Sequence, residues 1–180
     1  MDLTERQIKR EEIYNGAVLH VVKDAVLLPN GSESTREFCL HKGAVAVLPL
    51  TDDGRVAMVR QYRYAHGRVF LEVPAGKLDY VGEVPLEAAK RELREETGAI
   101  AESFTDLGIV DTTPALIDEK IYMYLAEGLS FGQTDFDEDE FLEPEMIPLT
   151  KLVDMVMSGE IRDGKTQIMI LKAAKLKGVL

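Results

Sequence analysis

The chain has 180 residues, 46% hydrophobic and 29% charged, with 21 Lys and Arg against 32 Asp and Glu for a net charge of -11. That length suits one compact domain with a real core and room for a small extra element. A surface of this sign disfavours nonspecific nucleic-acid binding and anionic membranes, though local arginines or bound cations can still serve an anionic small substrate. No run of eighteen apolar residues offers a membrane span. The single Cys39 excludes an internal disulfide and a cysteine-based zinc site.

The opening stretch "MDLTERQIKREEIYNG" is charged throughout and has no apolar signal core, so a cytoplasmic protein is expected. Residues 5–13 read as either a short helix or a charged lead-in. "AVLHVVKDAVLLPNGSESTREFCLHKG" reads as two strands around a turn at "PNG", with Cys39 on the second and inert. "GAVAVLPL" is an apolar β-rich run, "TDDG" a turn, and "RVAMVRQYR" the next strand. After a loop at "YAHG" comes "RVFLEVPAG", so the first 75 residues are largely sheet. The first two strands precede the denser core signals and form a candidate N-terminal subdomain, residues 1–42, ahead of a main domain at 43–180.

Over residues 85–97 the period changes. Leu86, Ala89 and Leu93 recur at helical spacing, Pro85 suits a first turn, and Gly98 is placed to end the helix. Strand patterns return in "FTDLGIVDTTP" and "EKIYMYLAEGL". The acidic segment "TDFDEDEFLEPE" interrupts them, and "PLTKLVDMVMSGEI" and "DGKTQIMILKAAKLKG" read as two closing helices. The expected class is α+β, a mixed β-sheet sandwiched between helices (α/β/α).

Glu92, Glu95 and Glu96 share one side of the helix, displaced from its apolar stripe. Like charges at that spacing destabilise a helix unless they are solvated or a cation sits among them. From spacing alone both readings stay open. Carboxylates with a backbone carbonyl suit hard, oxygen-seeking Mg2+ or Mn2+.

The surrounding stretch, "PAGKLDYVGEVPLEAAKRELREETGA", resembles the Nudix hydrolase signature. The "REL.EE.GA" part falls on Arg91, Glu92, Leu93, Glu95, Glu96, Gly98 and Ala99, and seven residues separate Glu83 from Arg91, as the signature asks. Six residues rather than five separate Gly76 from Glu83, a one-residue expansion of the loop. The resemblance implies a Nudix fold with an N-terminal antiparallel β extension. It implies Glu92, Glu95, Glu96 and the Ala75 carbonyl as metal ligands, with Gly76, Glu83, Arg91 and Gly98 structural in the motif.

"LPNG", "GAVAVLP", "VRQYR", "LEVPAGKLD" and Pro114, sixteen residues past Gly98, resemble the ADP-ribose pyrophosphatase branch. Close relatives often place glycine after that proline, whereas this chain has Ala115, so GDP-mannose or another nucleoside diphosphate sugar stays open. The resemblance implies Mg2+-dependent hydrolysis of a P–O–P bond, giving AMP and ribose 5-phosphate from ADP-ribose. Arg63, in "QYR", would contact phosphate, and Arg36 would reach the nucleotide from the N-terminal region. Glu72 would support the metal centre or the substrate arginine, and Glu119 would face ribose or pyrophosphate. Tyr62 is read as core rather than as a base-stacking group. His20, His41 and His66 lack metal-ligand spacing and receive no catalytic role.

A general base is still needed to deprotonate water. In resembling enzymes it comes from a mobile loop at the position of "DFDEDEF", which points to Glu140, with Glu138 next and Glu96 behind them. A ligand carboxylate is a poor base, because the cation lowers its proton affinity. The same branch pairs its N-terminal strands across subunits, so a homodimer through the strands between Val18 and Leu40 is expected. A non-catalytic nucleotide-sugar sensor is the rival of a different class; a broken carboxylate set would favour it, and all three carboxylates are present.

Overall fold

The computed structural model describes residues 2–136 and 141–180. They form two compact units, Met1–Lys42 with Asp111–Lys120, and Gly43–Val110 with Ile121–Leu180.

The first unit is built on three antiparallel strands in sequential order: β1 (Arg6–Asn15), β2 (His20–Leu27) and β3 (Glu33–Leu40). β2 alternates, burying Val22, Asp24 and Val26. A buried carboxylate needs a partner, and Arg10 supplies a two-pronged one, with Nε 2.8 Å from Asp24 Oδ1 and Nη2 2.7 Å from Oδ2. The helix considered for residues 5–13 is not formed, and the extension has three strands rather than two. The stretch carries no apolar stripe at helical spacing, and pairing with β2, from Arg6 opposite Leu27 to Asn15 opposite His20, satisfies its backbone instead. Residues 111–120 join this unit through a bridge between Cys39 and Ile117.

In the second unit, β4 (Ala44–Pro49) is buried at every residue. It lies parallel to β9 (Lys120–Phe131) and antiparallel to β7 (Ala75–Lys77), within a four-stranded sheet of order β7-β4-β9-β8, where β8 is Ala99–Asp111. Alternation sends Val45 and Val47 towards a core with Ala88, Ala89 and Leu93 of α1 (Pro85–Thr97). Ala46 and Leu48 face a larger core with Leu152, Val156, Met169 and Ile170 from α2 (Leu149–Met157) and α3 (Gly164–Leu176). One strand buried on both faces thus separates the helix layers. Of the expected stripe on α1, Ala89 and Leu93 are buried, while Leu86 is half-buried.

A second sheet, β10-β5-β6, is antiparallel, with β5 at Arg55–Arg63, β6 at Arg68–Glu72 and β10 at Leu142–Pro148. β10 corrects the reading of "LEPE" as part of an acidic interruption. Its acidic residues pair along β5, and Pro144 is tolerated because β10 is an edge strand. Among the described residues no helix is long and apolar enough to cross a membrane.

Gly98 closes α1 in the left-handed region at φ 68°, its amide 2.8 Å from the Arg94 carbonyl. A Cβ there would stand 2.5 Å from the Gly132 carbonyl oxygen. Gly98→Ala is therefore expected to lower the unfolding free energy in urea by about 2 kcal/mol or more, from strain and backbone displacement together.

Candidate active site

The apolar stripe of α1 presses against β4, which brings the opposite side of its last two turns over the Pro74–Gly76 bend. Glu92 and Glu96 are buried there and Glu95 is half-buried. The Ala75 amide donates to Glu96 Oε2 at 3.2 Å. Gly76 admits the Glu92 side chain, since a Cβ at residue 76 would fall 2.0 Å from the Glu92 carboxyl carbon. Only glycine lets a carboxylate approach the backbone this closely.

Arg91 makes the short ion pairs on this face, and Arg94 lies 3.8 Å from Glu95 Oε1. Arg91 Nη1 lies 2.7 Å from Glu92 Oε1 and 3.2 Å from Glu95 Oε2. Its Nη2 is 3.5 Å from the Lys77 carbonyl, 3.5 Å from Asp79 and 3.7 Å from Glu83. Glu83 in turn accepts the Asp79 amide at 2.7 Å. Burial works against the Arg91 charge, and Glu92, Asp79 and Glu95 outweigh it, raising the guanidinium above its ordinary value. The same arginine thus spans helix and loop.

Among the described residues no three His, Cys, Asp or Glu side chains form a ready metal shell. Glu92 and Glu95 turn to Arg91 instead. The donor set still fits a hard divalent cation. It is all oxygen, it stands on adjacent turns of one helix, and two of its three carboxylates are buried, where negative charge demands compensation.

A second ionic group stands beside it. Arg63, the last residue of β5, grips Glu72, the last residue of β6, with Nε on Oε1 and Nη2 on Oε2, both at 2.8 Å. Glu72 is 3% exposed. Burial pushes its carboxyl up, but the hydrogen bonds from Arg63 and the charge of Lys165 outweigh it and hold it at about 2. Arg63 is raised chiefly by Glu72, against its own burial, and Asp163 and Glu96 add to the rise. Glu96 therefore belongs to the same electrostatic neighbourhood as Arg63. Glu72 thus holds Arg63 through both of its carboxylate oxygens.

Lys165 and Asp163 lie outside every motif of the sequence. Lys165 pairs with both Glu72 and Asp163, while Asp163 caps α3 through the Thr166 amide at 2.9 Å. A hint was available, because a lysine in the first turn of a helix opposes the helix dipole and calls for a nearby acid. Tyr62 corrects the core reading, being 56% exposed.

Two other candidates lie in the first unit. Arg36 bonds Ser34 Oγ, the Thr35 carbonyl and Glu5. Glu119 accepts from Thr112 Oγ1 at 2.9 Å and lies 3.6 Å from His41 Nδ1. Glu138 and Glu140 fall outside the described residues. The Asp135 amide donates to the Glu95 carbonyl at 3.0 Å, and Leu142 pairs with Gln61, two residues before Arg63. Both ends of this segment are thus anchored to the elements that carry the carboxylates and the arginine.

A NUDIX domain model matches residues 40–168. The chain is 43% identical over 166 residues to an ADP-ribose pyrophosphatase of Bacillus subtilis, covering 91% of this chain and 89% of that protein. It is 40% identical over 168 residues to a methanol dehydrogenase activator of Bacillus methanolicus, covering 92% and 90%. Among solved structures, an ADP compounds hydrolase superposes with a TM-score of 0.85 at 23% identity, over 99% of this chain and 98% of the other, a likeness of fold.

The depressed Glu72 carboxyl has a pH consequence. Its contribution is complete above the ordinary value of 4.5 and is lost as pH falls through about 2. Glu72→Gln is expected to be less stable than wild type at pH 7 by up to about 3 kcal/mol. That gap should close as the two proteins are compared in urea at successively lower pH from 5 to 2.

Proposed function

Since this chain belongs to the Nudix family and is one of its pyrophosphohydrolases, we propose that it hydrolyses the diphosphate of ADP-ribose with Mg2+ held by Glu92, Glu95, Glu96 and the Ala75 carbonyl. The observation that carries this is the pairing of an all-oxygen acidic face on α1 with the Arg63–Glu72 fork beside it. The name of the Bacillus subtilis relative supports the choice of ADP-ribose.

Bound Mg2+ would neutralise diphosphate charge and activate water towards phosphorus. The protein's own groups do the rest. Arg63, clamped through Nε and Nη2, directs Nη1 to a phosphate oxygen. Arg91 and Glu83 hold the loop against the helix, and Gly76 lets Glu92 reach its position. Glu140, or Glu138 two residues before it, takes the proton of the attacking water. The P–O–P bond breaks, and AMP and ribose 5-phosphate leave. The anchored flanks of that segment, at Asp135 and Leu142, support this assignment.

We also assign the N-terminal strands to a homodimer in the cytoplasm. β1 is exposed along its whole length, Ile8, Ile13 and Tyr14 included, and an open edge with apolar side chains is a pairing surface. Arg36, on β3, and Glu119 would then serve the nucleotide and its ribose or pyrophosphate, with Arg36 reaching the partner's site.

A substrate panel with Mg2+, read as phosphate released after alkaline phosphatase, tests the assignment. ADP-ribose should lead ADP-glucose, GDP-mannose, UDP-glucose, NADH and diadenosine polyphosphates. GDP-mannose in first place would move the chain to another sugar specificity, and no turnover of any compound would favour a sensor.

Glu92→Gln, Glu95→Gln and Glu96→Gln should each lower kcat by about two orders of magnitude or more, roughly 3 kcal/mol of lost transition-state stabilisation. Glu140→Gln should lower kcat while leaving Mg2+ and substrate binding intact, with Glu138→Gln as its pair. Full turnover in both from pH 6 to 9 would move the base elsewhere.

Light scattering at micromolar concentration should report a dimer, and Ile8→Lys with Ile13→Lys should shift it to monomer. Mixing Arg36→Ala with Glu92→Gln subunits should restore one intact site in two. A wild-type monomer would end the dimer assignment.

A further inference from the structure

The first turn of α3 lies outside the Nudix motif, yet it is bolted to the strand that leads into it. The Val73 amide donates to Thr166 Oγ1 at 3.0 Å, one residue past Glu72 and two before Ala75. Thr166 is fully buried. In the same turn Lys165 sends its ammonium to Glu72 Oε2, the oxygen that also takes Arg63 Nη2 at 2.8 Å. Asp163 Oδ2 accepts from Lys165 at 3.0 Å and from the Thr166 amide at 2.9 Å.

Two features need a reason. A cation in the first turn of a helix works against the helix dipole. A single carboxylate that already holds a guanidinium fork has its charge balanced, and a second cation exceeds what its burial requires. The surplus has a use if the neighbouring arginine must keep positive charge for something else. Without Lys165, Arg63 faces Glu72, Asp163 and Glu96, one positive charge against three negative. With it the group is two against three. Among the described residues, Arg63 Nη1 has no partner within the cluster, as only Nε and Nη2 are engaged.

We infer that Lys165 is a positioning residue for substrate binding: by sharing Glu72 it fixes the carboxylate that orients Arg63 and offsets the negative charge around Arg63 that would repel an anionic diphosphate. This rests on the reading above that Arg63 meets the diphosphate. Lys165 acts through Arg63, and Asp163 opposes it by drawing on the same ammonium.

The test uses ADP as the probe, with binding measured by calorimetry in the presence of Mg2+, alongside ADP-ribose kinetics. Lys165→Met should weaken ADP binding and raise KM about tenfold while kcat changes less than about threefold, and Lys165→Arg should recover most of the loss. Asp163→Asn keeps a good N-cap and removes the opposing charge, so it should tighten ADP binding. Adding Lys165→Met to Arg63→Ala should cost nothing further. Wild-type ADP binding in Lys165→Met would overturn the inference, as would losses that multiply in the double variant. Should Lys165→Met not fold, unchanged or weaker ADP binding in Asp163→Asn overturns it equally. If Arg63→Ala itself leaves ADP binding unchanged, the diphosphate reading of Arg63 has failed, and the inference falls with it.

Discussion

Negative charge is costly to bury unless cations or hydrogen-bond donors answer it, and the second unit is organised around three carboxylates in that position. Glu72, Glu92 and Glu96 are each less than one-tenth exposed. Each sits at the end of an element or on its last turns, where it can meet side chains from several parts of the chain. Arg63 and Lys165 answer Glu72, and Arg91 answers Glu92. Removing a partner from such a pair leaves an uncompensated buried charge, which is more costly than never having made the pair. Each pair therefore depends on both of its members being in place.

The layer architecture is what brings these groups to one place. β4 is buried on both faces, so α1 packs on one side and α2 and α3 on the other. The chain between β6 and β7 crosses from Glu72 to Ala75 in three residues, and helices from opposite layers meet it. Glu96 of α1 accepts the Ala75 amide, while Thr166 of α3 accepts the Val73 amide. The acidic face and the arginine fork are thus two sides of one bend. The tightness of this bend explains why Gly76 stands there: a Cβ would displace the Glu92 carboxylate.

The loop between Gly76 and Glu83, one residue longer than the usual motif, is absorbed without disturbing the helix. Gly82 takes a φ of 90° in open space, and Tyr80 and Val81 are exposed. Glu83 still caps the Asp79 amide and still lies within reach of Arg91. An extra residue placed at a solvent-facing turn changes the loop's outline, whereas one placed within α1 would rotate its carboxylates by about 100°.

The local pattern alone determined a good deal. The period change at residues 85–97, with Pro85 and Gly98 at its ends, delimited α1 to the residue, because helix signals are short-range: side chains three and four apart and a left-handed cap. The motif spacing placed Glu92, Glu95, Glu96, Glu83 and Arg91 on one helix and its loop for the same reason. β1 and β10 were not legible. Neither carries a strong strand pattern, and each is extended because another strand supplies its hydrogen bonds, β2 for one and β5 for the other. Nor was the pairing of Glu72 with Lys165, 93 residues apart in the chain. Which acid answers which base across such a distance depends on how the layers stack, and only the folded chain decides that.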